Sequence, residues 1–134
     1  MDYLFVYGTL LKDTHHEMSK FLASHAVVIG KGYIYGNLYK VSWLPGAITS
    51  TKASEKVCGS LFKVNDFKNV SVVLDGYEGV GENYPQPNLF TRELVTAFLD
   101  DGTQYETWVY FYNLSVDGLK QITSGDFLKF SKTE

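Results

Sequence analysis

Apolar and aromatic positions fall into short runs separated by glycine, proline and polar breaks, and most runs alternate with polar residues. Asp2–Tyr7 (DYLFVY) is a nearly unbroken apolar run ending at Gly8, as expected of a buried strand. DTHHEMSKFLASH then offers Asp13 or Thr14 as a cap and places Met18, Phe21 and Leu22 at helical spacing. AVVIGKGYIYGNLYKV predicts a long strand in which Gly30, Gly32 and Gly36 mark bulges or bends. WLPGAIT predicts a Pro-Gly turn followed by a short strand, and EKVCGSLFKV a further strand. NDFKNVSVVLDGYEG predicts a short helix ending near Asp75 or Gly76, and EGVGENYPQPN an irregular, partly exposed loop. LFTRELVTAFL and YETWVYFYNL alternate well and are joined by DDGTQ, where Asp-Gly signals a hairpin. GLKQITSGDFLKF predicts a helical turn and a last short strand.

Many strands with glycine bends and two or three helices argue for an α+β fold on a closed or nearly closed sheet, with closure following less from this pattern than from the resemblance described below. No repeat, low-complexity stretch or linker divides the 134 residues, so residues 1–134 are read as one domain.

Composition narrows the function. Ten Tyr, nine Phe and two Trp suit pleated strands, and Tyr also suits an amphipathic cavity wall. The net charge of −3 and the lack of a basic cluster argue against nucleic acid. No apolar run approaches the roughly 18 residues a spanning helix needs, and no signal peptide is recognisable at the start of the chain. A soluble cytoplasmic protein is expected. Cys58 has no cysteine to pair with within the chain and is read as a buried structural thiol.

The chemistry-bearing residues are few. There is no Gly-x-Ser-x-Gly elbow and no Cys-x-x-Cys or His-x-x-Glu-His spacing. His15 and His16 are adjacent and point to different helix faces, so no metal site is expected. GKGYIYG is not followed by a helix pattern, so no dinucleotide site is expected. Two features remain. Gly8 ends a buried strand, where a missing side chain either makes a turn or lets a ligand approach consecutive backbone N–H groups. Taken alone, the turn is the better reading. Glu78 follows the apolar VSVVL between Tyr77 and Gly79. It is either a solvated loop carboxylate or, held against aromatic walls, a proton acceptor with reduced hydration. Asp75, three residues earlier, could cap or bond backbone.

In order and spacing, FVYGTL, LDGYEG, the Phe-Thr-Arg before the late hairpin and DGTQYETWVYFY resemble the γ-glutamylcyclotransferase-like family. That family includes the γ-glutamylamine cyclotransferases and AIG2-like proteins. WLPGA, VCGSLFKV and ITSGDF resemble its minor landmarks. The resemblance implies a small mixed β-barrel, closed or nearly so, flanked by helices and with a cavity at one end. It also implies a cofactor-independent reaction on a small γ-glutamyl substrate, releasing 5-oxoproline and an amine. By motif, Tyr7, Gly8, Thr9 and Leu10 would hold the γ-glutamyl group and Glu78 would be the acid/base. Tyr84, Phe90, Trp108 and Tyr110 are candidate pocket walls, with ordinary packing as their alternative. Two departures stand out: Phe90 replaces a frequent Tyr, and Thr9 departs from the YGSL-type loop of the glutathione-specific branch. A non-catalytic binding module on the same barrel, or an enzyme acting on another amide, are the competing readings.

Overall fold

The structure, a computed structural model, describes residues 2–8, 17–41 and 44–133. The candidate caps Asp13 and Thr14, together with His15, His16 and Trp43, lie outside the described residues. In chain order the elements are β1 (Asp2–Val6), α1 (Glu17–His25), β2 (Ala26–Val41), β3 (Leu44–Thr49) and β4 (Lys56–Val64). They continue with α2 (Phe67–Glu78), β5 (Phe90–Leu99), β6 (Gln104–Tyr112), β7 (Lys120–Gln121) and α3 (Phe127–Thr133).

Five strands close into a barrel in the order β2-β4-β1-β6-β5, with β5 returning to β2. The β1–β6 pair is parallel and the others antiparallel, so the barrel is mixed. The closing seam is short, Gly32 facing Leu99 and Tyr33 facing Phe98. Gly32 is required there, since a Cβ would lie 2.2 Å from the Phe98 carbonyl oxygen. β3 and β7 extend the sheet along the second half of β2. The register shift between Val28 and Gly30 is the irregularity expected near the first of the three glycines.

Strand alternation divides the apolar residues into two layers. Phe5 and Tyr7 point into the barrel with Ile34, Leu38, Val57, Leu61, Val109 and Phe111. Leu4 and Val6 point outward to meet Met18 and Leu22 of α1 and Phe67, Val70 and Leu74 of α2. α1 and α2 therefore cover one outer face of the barrel, whereas Phe127 of α3 joins the interior cluster.

Several boundaries differ from the sequence reading. Pro45 and Gly46 lie inside β3 rather than in a turn. β3 ends the strand order, and an edge strand tolerates a residue without an N–H. α2 runs on to Glu78, past Asp75 and Gly76, and stops at Gly79, whose left-handed φ of 69° lets its N–H turn back to the Gly76 carbonyl. The chain end reverses the expected order: the short strand comes first and a helix last. Asp126 explains the helix, because its carboxylate accepts the Lys129 N–H at 3.1 Å as a cap does. Cys58 is half-buried rather than buried, since β4 turns Val57, Gly59 and Leu61 inward. Burial raises its thiol pKa, and Asp126 and Asp100 add to the rise.

Candidate active site

The buried face of α2 carries Phe67, Val70, Ser71 and Leu74 at helical spacing. Asp75 and Glu78 prolong that stripe, so its last turn brings two carboxylates to the barrel surface instead of apolar groups. On the barrel side, β5 and β6 pair Arg92 with Tyr110, Leu94 with Trp108 and Phe90 with Tyr112.

Asp75 is gripped from both strands. Arg92 Nε donates to its Oδ1 at 2.8 Å and Nη2 to Oδ2 at 3.1 Å, and the Tyr110 hydroxyl donates to Oδ1 at 2.6 Å. The guanidinium lies 4.8 Å from the Trp108 ring centroid and 5.4 Å from that of Phe67. Those two rings are stacked at 5.8 Å. Arg92 and Asp75 are about one-fifth exposed. For a mostly buried pair the desolvation cost offsets much of the attraction, so this pair matters more for where it holds the helix than for net stability.

Glu78 lies on the same face one turn later and is partly buried. Burial pushes its pKa up to about 7, and the Asp75 carboxylate adds to the rise. Its charge also reaches the hydroxyls of Tyr7 and Tyr110. Each is raised above the usual tyrosine range chiefly by burial, with Glu78 contributing. A carboxyl group poised near neutrality thus stands within Coulombic range of the end of β1.

At that end the Tyr7 hydroxyl donates to the Tyr110 carbonyl and accepts the Ala47 N–H at 3.2 Å. The side chain therefore ties β1 to β6 and β3. Gly8 is buried, and a Cβ there would lie 2.6 Å from Pro45 Cγ, so packing against β3 already demands its bareness. Thr9 and Leu10 lie outside the described residues. Phe90 is buried edge-on to Tyr112, with ring centroids 5.9 Å apart. Tyr84 is exposed and brings its hydroxyl beside Gly76, which lies between Asp75 and Glu78 in the chain. Its loop is braced by Asn88, which accepts the Gly81 N–H at 2.9 Å, and by Gln86, which donates to the Gly81 carbonyl at 2.8 Å.

The Tyr7 hydroxyl thus meets the Tyr110 carbonyl, the Tyr110 hydroxyl meets Asp75, and Glu78 contributes to the raised pKa of both tyrosines, while Phe90 lies in the core layer beneath α1 and α2 and the Tyr84 hydroxyl lies by Gly76. Sequence reasoning gave Arg92 no part in the site and left Asp75 as a cap or backbone partner. A visible signal was the continuation of the α2 apolar stripe into two acids. Among the described residues, no three His, Cys, Asp or Glu side chains gather as a metal site would require. Among them too, no helix is long and apolar enough to cross a membrane.

Fold and site together define a small closed barrel with a half-dry carboxyl group at the joint between a helix and the end of its first strand. The profile of the family described as Gamma-glutamyl cyclotransferase, AIG2-like matches residues 4–129. A protein of Methanocaldococcus jannaschii, provisionally named a gamma-glutamylcyclotransferase, is 32% identical over 130 residues, 95% of this chain and 96% of its own. Among solved structures, protein ytfP of Escherichia coli superposes with a TM-score of 0.66 at 25% identity, covering 96% of this chain and 98% of its own. An AIG2-like protein of Mus musculus superposes with a TM-score of 0.67 at 20% identity, covering 87% of this chain and 80% of its own. At that identity the mouse protein speaks to the fold. The chain belongs to the AIG2-like gamma-glutamyl cyclotransferase family and is a γ-glutamylcyclotransferase-like protein.

Proposed function

We propose that this protein, as a single domain, converts a γ-glutamyl amine or peptide to 5-oxoproline and the free amine, with Glu78 as acid/base. Ionised Glu78 takes a proton from the substrate's α-ammonium group. The freed nitrogen attacks the substrate's own γ-carbonyl carbon and forms the five-membered ring. The ring nitrogen sheds its second proton as the bond from that carbon to the leaving nitrogen breaks, and the leaving nitrogen takes up both protons, one of them returned by Glu78, and departs as an ammonium ion. Atoms balance without a protein nucleophile or cofactor. Holding amine and carbonyl in contact can be worth roughly 7–11 kcal/mol of barrier.

The segment Tyr7–Leu10, of which Tyr7 and Gly8 are described, would hold the γ-glutamyl head through backbone N–H groups. Tyr110 lies close enough to wall the same corner. The observation that carries this reading is the partly buried Glu78 carboxyl beside Asp75 in the last turn of α2, where burial raises its pKa to about 7. A base of that strength is matched to proton transfer near neutral pH. The chemistry suits a reducing compartment such as the cytoplasm, where Cys58 stays a thiol.

The test is a panel of γ-glutamyl amines, γ-glutamyl peptides and unrelated amides, assayed for 5-oxoproline with wild type and Glu78→Gln. Release by wild type from a γ-glutamyl compound, lost in the variant, supports the proposal. Binding by calorimetry with no product from any compound would instead identify a non-catalytic module, and turnover confined to unrelated amides would identify a different amidase-like enzyme.

A further inference from the structure

Resting on the reading of Glu78 as acid/base, we propose that Asp75 is its positioning residue. Pinned between Arg92 and Tyr110, Asp75 locks the last turn of α2 onto the barrel and sets the charge environment in which Glu78 exchanges its proton.

Asp75 and Glu78 are three residues apart on one helix, so fixing the first fixes the direction from which the second projects. The fixing is unusually complete for a partly exposed carboxylate. Both oxygens are engaged by the Arg92 fork, and Oδ1 also accepts the Tyr110 hydroxyl. Arg92 and Tyr110 are themselves direct cross-strand partners, so the two donors come from one rung of the β5–β6 ladder. The guanidinium is backed by the stacked Trp108 and Phe67 rings. α2, β5 and β6 therefore converge on one carboxylate.

The groups that act on Glu78 or respond to it are Asp75 on its own helix, Tyr7 after β1 and Tyr110 on β6. Arg92 of β5 directs its fork to Asp75, which leaves Asp75 as the charge that opposes ionisation of Glu78.

Asp75→Asn keeps an acceptor for Tyr110 and removes the charge. Carbon-13-detected titration of the Glu78 carboxyl reads the coupling without any turnover. The midpoint is expected to fall by about half a pH unit or more in the variant. With a substrate from the panel, kcat for 5-oxoproline release is expected to drop about tenfold while KM changes by less than about twofold. Arg92→Lys, which retains a positive charge but cannot form the fork, is expected to lower kcat in the same way. Should Asp75→Asn fail to fold, Tyr110→Phe removes one of the three bonds to Asp75 and is expected to lower kcat several-fold with KM held. A Glu78 midpoint unmoved in Asp75→Asn, or loss of kcat in step with thermal stability across the variants, would overturn the proposal. If wild type releases no 5-oxoproline at all, the functional reading fails, while the titration still decides whether Asp75 controls Glu78.

Discussion

The barrel interior and the layer between barrel and helices are built by the same strands, yet they carry different groups. The interior is apolar from Phe5 to Phe111, and Tyr7 and Thr107 bond their hydroxyls to backbone carbonyls. The outer layer is as apolar at its centre, around Leu4, Leu22 and Leu74, but grades into Asp75, Arg92 and Glu78 at its rim. Strand alternation produces the separation, since Tyr110 faces outward between the inward Val109 and Phe111. A charge in the interior would cost more than the fold could recover, whereas at the rim a carboxyl group is dry enough to shift and open enough to meet a ligand. In the proposed function the barrel is scaffolding, and the chemistry falls to its joint with α2.

The variant that tests this contrast hardest is Glu78→Gln. Steady-state assay of 5-oxoproline release is expected to show a loss of about 10²–10⁴-fold. Phe5→Ala, in the interior, should act on stability instead. Denaturant unfolding is expected to show a loss of about 3–5 kcal/mol, with KM little changed at temperatures where the variant is folded.

The two layers should also differ in their response to pH. The folded-state pKa of Glu78 is raised from 4.5 to about 7. Below 4.5 both folded and unfolded chains hold the proton, and Glu78 costs the fold nothing. As pH rises toward 7 the unfolded chain releases the proton first, so stability falls. Above 7 the cost is complete, on the order of 3 kcal/mol. Thermal melts should therefore find Glu78→Gln more stable than wild type at pH 8 and equal to it at pH 4, the pattern of a site maintained at the expense of stability. At the seam, Gly32→Ala places a Cβ against the Phe98 carbonyl and is expected to cost about 1–3 kcal/mol in denaturant unfolding. Cys58→Ala lies outside both the interior and the rim, and is expected to shift stability by less than about 1 kcal/mol and leave turnover unchanged.

Where one face of an element is buried, its pattern was readable. Leu4 to Tyr7, the β4 run and the Asp-Gly hairpin joining β5 to β6 follow directly from alternation and turn chemistry. Pro45-Gly46 misled because an edge strand can hold the pair that elsewhere makes a turn. Asp75-Gly76 looked like a helix end, but a glycine three residues on supplies the left-handed cap. Motif resemblance, rather than periodicity, singled out Glu78. The grip on Asp75 joins residues 17 and 35 positions away, and local patterns carry no trace of such pairings. Tyr7 shows a further limit: its side chain is occupied inside the fold, so any grip on a ligand at that point falls to backbone groups.

The central claim is that a half-dry Glu78 moves the proton in cyclisation. The pH dependence of kcat/KM for 5-oxoproline release tests it most directly, measured with wild type and Glu78→Gln side by side. The expected wild-type profile rises with pH to an inflection near 7, and that limb disappears with the activity in the variant. An inflection near 4.5, or a variant that keeps the wild-type rate, would contradict it.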